Sequence, residues 1–330
     1  MGYLKMPLSA AILSLALLLP ASAAPSAGAQ EAPAYLALGD SLAFGVGASD
    51  PSTMGYAARA YESLRTSARY RDGGLDSINL SVPGATSSDL LVPGGQLDMA
   101  LEEIGERRRD ASPTANEVEI VSVDIGGNDL LTLVAPDSPC LESSSVEPCR
   151  AAFGEVLSAI QTNLTEALHR LREAAPEAVI VVVDLYNPYS GTGDLREPIA
   201  EIGVGQANGV IGAVTADPEL RVKAASIFQL FSGRGGQWIA PDGIHPNDDG
   251  HAVIAEVVLA TIADREPVIP DELLSVSPGA TAPAVNVTTD AGSGGDSDGV
   301  SPVLLLAGIA VAFAAGIAVS AAYFIARGRS

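Results

Sequence analysis

Ala178-Val179-Ile180-Val181-Val182-Val183-Asp184-Leu185 is an almost unbroken run of β-branched residues, and Val118-Glu119-Ile120-Val121-Ser122-Val123-Asp124-Ile125 nearly matches it. Strands like these have no polar face, so they belong in a sheet covered on both sides, the usual setting of parallel strands. Shorter β-rich runs stand at Tyr35–Leu38, Ile78–Val82 and Val222–Phe228. Helical patterns separate the runs, around residues 55–69, 96–109, 150–174, 195–216 and 249–263. In the third, Phe153, Val156, Leu157, Ile160, Leu164, Leu168 and Leu171 recur at spacings of three and four, which makes one apolar stripe. Alternating strands and helices predict an α/β fold, a central parallel sheet with helices on both faces. In such sheets sites form beyond the carboxyl ends of the strands. Arg107, Arg108 and Arg109 close the second helical pattern. They suit the negative end of a helix dipole and read as a solvated terminus, not a binding patch.

Composition narrows the function. The chain has 330 residues, a net charge of −22 and yet a mean hydropathy of +0.27. Acidity on this scale argues against nucleic acid, which needs clustered Lys and Arg. Lys5 and Lys223 are the only lysines, so the lysine-ended phosphate loop is absent. The apolar excess sits at the two ends. Residues 1–23 read as a secretory signal, with Lys5 as basic head, Leu8–Leu19 as apolar stretch and Ala21-Ser22-Ala23 as cleavage site. Val303–Ala326 carries no charge and is followed by Arg327 and Arg329. It is long enough to span a bilayer, and the arginines place the tail 327–330 in the cytoplasm. Gly308, Ala312, Gly316 and Ser320 recur along it, although a single unpartnered span is the simpler expectation. Residues 268–302, rich in Ser, Thr, Pro, Gly and Ala, read as a linker. After a short segment 24–32, the folded domain is expected at 33–267, monomeric and outside the membrane. Cys140 and Cys149 are the only cysteines. In an oxidising compartment they would close a small loop worth roughly 2–3 kcal/mol, and two free thiols are the alternative. Of the Asn-x-Ser/Thr sequons at Asn79, Asn163 and Asn286, the first two fall in apparent regular structure and read as chance.

Four segments following strands carry polar chemistry. Gly39-Asp40-Ser41-Leu42-Ala43-Phe44-Gly45 sets a serine at a strand-to-helix turn, where its hydroxyl can face solvent beside helix N–H groups. It matches the nucleophile elbow only in part, because position 43 is Ala. Val82-Pro83-Gly84-Ala85-Thr86 puts a permissive glycine where main chain can approach a ligand, or simply makes a turn before a helix cap. Asp124-Ile125-Gly126-Gly127-Asn128-Asp129 offers Asn128, whose neutral amide suits an oxyanion or merely sits in a turn. Asp242-Gly243-Ile244-His245 spaces a carboxylate three residues before an imidazole, so that one ring nitrogen can be oriented while the other faces a serine. A metal set of Asp242, His245, Asp248 and His251 competes with that reading. Of the other histidines, His169 reads as surface and His251 as a cap or packing residue.

Taken together, Gly39-Asp40-Ser41-Leu42, Gly84, Gly126-Gly127-Asn128-Asp129 and Asp242-Gly243-Ile244-His245 resemble the four blocks of the SGNH (GDSL) hydrolases, in order, over about residues 34–264. The resemblance implies a flavodoxin-like three-layer α/β/α fold and ester hydrolysis without metal or other cofactor. It implies Ser41 as nucleophile, His245 as general base and Asp242 as its orienting carboxylate. The oxyanion hole would comprise the Ser41 N–H, the Gly84 N–H and the Asn128 amide. The expected substrate is a small-molecule, lipid or carbohydrate ester. An acyltransferase, a carbohydrate O-deacetylase or a dormant binding module on the same fold are the alternatives. Trp238, Tyr186 and Tyr189 are candidates for the substrate pocket, with core packing as the other reading.

Overall fold

All five expected strands form, and they share one sheet. A computed structural model of the protein describes residues 32–109, 117–134, 138–142 and 146–275. The signal segment 1–23, the linker beyond 275 and the span 303–326 lie outside these residues. Among the described residues no helix is long and apolar enough to cross a membrane. Strands β1 (Ala34–Gly39), β2 (Asp76–Asn79), β3 (Val118–Asp124), β4 (Val179–Val183) and β5 (Val222–Ala225) run parallel in the order β2-β1-β3-β4-β5. Helices α1 (Ser41–Phe44), α2 (Pro51–Met54) and α3 (Tyr56–Thr66) follow β1, and α4 (Gln96–Arg107) follows β2. After β3 come α5 (Gly127–Leu131), α6 (Pro139–Glu142) and α7 (Val146–Ala174), and after β4 comes α8 (Glu197–Thr215). Helices α9 (Phe228–Phe231), α10 (Gly235–Trp238), α11 (Asp248–Ile262) and α12 (Asp271–Leu274) follow β5.

Side-chain alternation along the strands divides the core into two layers. Leu36, Leu38, Val121, Val123, Ile180 and Val182 meet α4, α7 and α8 on one face, through Ile104, Leu164, Leu168, Ile211 and their neighbours. Tyr35, Ala37, Ile120, Val181 and Val183 meet α3 and α11 on the other, through Tyr56, Ala60, Val253 and Val258. The fold is therefore the three-layer α/β/α arrangement, with the 2-1-3-4-5 order of flavodoxin-like sheets. The chain leaves β1 toward β2 on one side and later returns to β3 on the other. That reversal opens a crevice between the carboxyl ends of β1 and β3. Cys140 and Cys149 are joined in a disulfide that ties α6 to the start of α7.

Three sequence readings need correction. Strands β2 and β5 are shorter than their β-rich runs, because Leu80–Val82 and Ser226–Ile227 already turn into loops and Phe228 begins α9. Arg107 is not solvated. It is buried, and it reaches Glu103 at 2.7 Å, Asp76 at 3.0 Å and the Ala32 carbonyl at 2.8 Å, tying α4 to the start of the sheet. Residues 268–275, assigned to the linker, carry α12 and pack on the domain. Ile269, Leu273 and Leu274 cover the second core layer, and the Trp238 indole N–H donates to the Leu273 carbonyl at 3.1 Å.

Beneath the sheet, buried Arg172 in the last turn of α7 donates to five main-chain carbonyls. These are Leu220, Ala175, Pro176, Ala178 and Arg221, at 2.8 to 3.2 Å, in the turns that feed β4 and β5. Burial pulls its guanidinium below the ordinary arginine range, with Arg221 acting in the same direction. A fork of five donors does here what no carboxylate partner could, since the groups to be satisfied are all acceptors. Arg172→Met should lower stability by about 3 kcal/mol, because it leaves buried carbonyls unpaired. For a domain of this size that is a Tm loss of roughly 6–12 °C in thermal unfolding. Arg172→Lys, with three donors on a point charge, should recover less than half of the loss.

Candidate active site

Ser41 opens α1 immediately beyond β1. Asp40 caps this one-turn helix, its Oδ1 accepting the Leu42 N–H at 2.9 Å, and Gly45 ends it at φ +93°. Gly39, at φ +142°, lies so close to Asp124 that a Cβ there would collide with its carboxyl and main chain. Asn79 at the end of β2 donates to the Ala43 carbonyl at 2.8 Å, so the neighbouring strand braces the turn as well.

His245 approaches from a loop between α10 and α11. The loop is a narrow hairpin: the Ala240 N–H donates to the His245 carbonyl at 2.7 Å, and Ile239 bridges Pro246. Asp242 folds it from within. Its Oδ1 accepts the Ile244 and His245 N–H groups, each at 3.0 Å, and Gly243 takes φ +76° to allow the turn. The other carboxylate oxygen meets His245 Nδ1 at 2.7 Å, and His245 Nε2 meets Ser41 Oγ at 2.9 Å. Asp242, His245 and Ser41 are thus one hydrogen-bonded line. Burial pushes the Asp242 carboxyl upward, but the two N–H groups and the imidazole outweigh it and hold Asp242 below the usual carboxylate range. It is therefore ionised at neutral pH and fixes the Nδ1–H tautomer of His245.

The three donors expected for an oxyanion follow the ends of β1, β2 and β3. Neither the Ser41 N–H nor the Gly84 N–H is used in a hydrogen bond within the described protein, and Gly84 holds φ +85° in an open turn. Asn128 begins the first turn of α5, after Gly126 at φ +113°. Its amide is already engaged, donating to the Ala85 carbonyl at 2.9 Å and to Asp40 Oδ2 at 3.2 Å. Burial lifts Asp40 to about 6 against the Leu42 N–H, which favours its charged form. Asp129 is spent on Ser87, accepting its N–H at 2.7 Å and its hydroxyl at 2.6 Å.

The metal set read from the sequence does not come together. Asp248 holds Ser49 through its N–H and hydroxyl at 2.8 and 2.7 Å. His251 is fully buried, with Nδ1 accepting the Tyr56 N–H at 3.2 Å and Nε2 facing the Val46 carbonyl at 3.1 Å. It is a packing residue; the cap of α11 is Asn247. Together, His251 and Asp248 clamp residues 46–56 against the His245 loop. The fit leaves no space, since a Cβ on Gly47 would strike Pro246 and His245. Nothing in the four motifs pointed to this clamp; the only sequence signal was a histidine one turn into an otherwise apolar helix.

Of the three pocket candidates, Trp238 is wholly buried, with Phe231 edge-on at 5.1 Å between ring centroids. It is core and lines no pocket. Tyr186 stacks on Phe231 at 4.7 Å and donates its hydroxyl to the Ile244 carbonyl at 2.8 Å, so it supports the His245 loop. Tyr189 lies half-buried under the Arg196 guanidinium, 4.1 Å from its centroid.

Comparison with known proteins bears on the family and the fold. Residues 37–253 match the model of the GDSL-like lipase/acylhydrolase family. The Bacillus subtilis protein YpmR, itself uncharacterized, is 27% identical over 237 residues, covering 68% of this chain and 80% of that protein. The spore germination lipase LipC of Bacillus licheniformis is 23% identical over 233 residues, covering 68% of this chain and 94% of LipC. Among solved structures, the lipase Lip_vut3 from a goat rumen metagenome superposes with a TM-score of 0.52 at 20% identity, covering 69% of this chain and 97% of that one.

The clamp carries a pH signature. Burial drives the His251 pKa down from 6.5 to about 4. The unfolded chain therefore takes up a proton at this histidine before the folded chain does, and stability falls as pH drops from 6.5 toward 4. Asp40 and Asp184, both lifted by burial to about 6, act in the opposite sense over much of this range. The His251 part is read as a difference. Between pH 6.5 and 4 the wild type should lose on the order of 3 kcal/mol more stability than His251→Gln, measured by denaturant unfolding.

Proposed function

The chain belongs to the GDSL-like lipase/acylhydrolase family, and on that premise we propose that it is a serine ester hydrolase working through a Ser41 acyl-enzyme. The observation that carries the reading is the Asp242–His245–Ser41 line, closed at 2.7 and 2.9 Å between side chains on either side of 204 positions of sequence. A serine hydroxyl is a weak nucleophile until a neighbouring imidazole accepts its proton. His245 Nε2 is at hydrogen-bond distance to do so, and the Asp242 carboxylate stabilises the imidazolium that results. Ser41 Oγ attacks the ester carbonyl carbon, and the proton held on Nε2 passes to the departing alcohol. Water then repeats the sequence on the acyl-enzyme and releases the acid.

The carbonyl oxygen becomes an anion in both steps and needs donors already in place. The free N–H groups of Ser41 and Gly84 supply two. The third is the Asn128 amide, which gives the oxyanion the hydrogen it now shares with Asp40 Oδ2, the longer of its two bonds. The family supports a carboxylic ester as substrate, and the lipase LipC among the relatives favours a lipid ester over an acylated carbohydrate.

The apolar ends complete the picture. Residues 1–23 export the chain and 303–326 anchor it, with 276–302 as tether, so that the domain works outside the cell. The Cys140–Cys149 disulfide supports this, since such bonds persist in oxidising compartments.

With p-nitrophenyl acetate as substrate, Ser41→Ala and His245→Ala should each lower kcat by at least about 10⁴-fold. Asn128→Ala should lower it by about 10²–10³-fold with little change in KM. Activity of Ser41→Ala at the wild-type level would overturn the mechanism. In cells the full chain should fractionate with membranes, and the chain ending at Ser275 should appear in the medium.

A further inference from the structure

The carboxyl of Asp124 has no part in the steps above, yet it touches the nucleophile turn on both sides of Ser41. Asp124 closes β3 and is 1% exposed. Its Oδ1 accepts the main-chain N–H groups of Asp40 and Ala43, each at 3.3 Å. Its Oδ2 accepts the Tyr56 hydroxyl at 3.1 Å. The two N–H groups bracket Ser41 and leave the Ser41 N–H between them unused. The approach is so close that only glycine fits at position 39, which pairs with Asp124 in the sheet register. Tyr56 is itself pinned, because its own N–H is held by His251. From Asp124 the chain runs four residues to Asn128, whose amide returns to the Asp40 side chain. One carboxyl thus links the nucleophile turn to the strand that delivers the oxyanion amide.

We propose that Asp124 is a positioning residue: as acceptor for the N–H groups of Asp40 and Ala43, it sets the Ser41 turn so that the hydroxyl meets His245 and the Ser41 N–H faces the oxyanion. The proposal rests on the serine-hydrolase reading. What the turn takes from Asp124 is acceptor geometry, not charge. Burial pushes this carboxyl well above the usual range and nearby Asp40 pushes it further, so ionisation is disfavoured there. Disfavouring ionisation at Asp124 also opposes a second anion under the site where the proposed oxyanion forms. Asparagine keeps an acceptor oxygen of the same shape, with its NH₂ turned toward the Tyr56 hydroxyl oxygen. Alanine removes the acceptor and leaves two buried N–H groups unpaired.

The test measures p-nitrophenyl acetate turnover and the rate of Ser41 labelling by a fluorophosphonate, with Tm recorded for each variant. Asp124→Ala should lower kcat by about 10²-fold, the scale of a misplaced reacting group, with KM within threefold and labelling slowed in parallel. Asp124→Asn should restore kcat to within about fivefold of wild type. The proposal is overturned if Asp124→Ala keeps kcat within threefold of wild type, or if Asp124→Asn is as slow as Asp124→Ala. If Asp124→Ala yields no folded protein, Tyr56→Phe decides. It frees Oδ2 and should slow labelling about fivefold, and an unchanged rate overturns the proposal. Ser41→Ala run alongside separates the two levels. Its inactivity leaves the hydrolase reading intact whatever Asp124 does, whereas its activity removes that reading and the proposal with it.

Discussion

A 2.9 Å contact between Ser41 Oγ and His245 Nε2 depends on two segments 204 positions apart in sequence meeting in space. Neither segment belongs to the sheet. Each is held by side chains that touch no substrate. The serine turn hangs on Asp40, Asp124 and Asn79, and the histidine hairpin on Asp242, Tyr186 and Asn247. Residues 46–56 fill the space between them, and buried His251 bonds to this segment at both ends. Hydrogen bonding of this density explains how a site built on loops can have the rigidity that preorganised catalysis requires.

Charge is distributed unevenly for a reason. The protein carries −22 overall, yet the proposed hydrolysis would put a new negative charge in its site. The nearby carboxyls solve this in different ways. Asp242 is partly exposed and triply hydrogen-bonded, so it stays ionised beside the His245 imidazole. Asp40 is buried and raised to about 6, its charge shared out among the Leu42 N–H and the Asn128 amide. Asp124 lies deeper and its ionisation is suppressed further. On the side of Ser41 and Asn128, burial and hydrogen bonds thus temper the carboxyls, and the Ser41 and Gly84 N–H groups are left unused.

The domain also ends later than its composition suggests. The tail through Ser275 lies against α10, where Arg234 and Gln237 donate to the Leu274 and Leu273 carbonyls at 2.8 and 3.0 Å. The Gln237 carbonyl in turn accepts from Asn247, two residues past His245. A continuation rich in Ser, Thr, Pro, Gly and Ala concealed this, because three apolar side chains suffice to dock a short segment on an existing core.

Much of this molecule was legible without coordinates. Strand runs such as Val179–Val183 are so apolar that only burial on both faces accommodates them, so the parallel sheet follows from local composition. The stripe of α7 and the Asp242–His245 spacing are local as well, and each maps directly onto structure. The contacts that convert motifs into a site are not local. Asp124 reads as a charged residue closing a buried strand, and nothing in its neighbours says that it grips residues 40 and 43 across a parallel pairing. Arg107 reads as one of three helix-terminal arginines, and only the docking of α4 on the sheet buries it. Trp238 and Tyr186 were offered alike as pocket or core, and packing by Phe231 and the final tail decided both. Periodicity records which face of an element is apolar. Partners far apart in sequence are chosen by chain crossover and register, which no short window of residues contains.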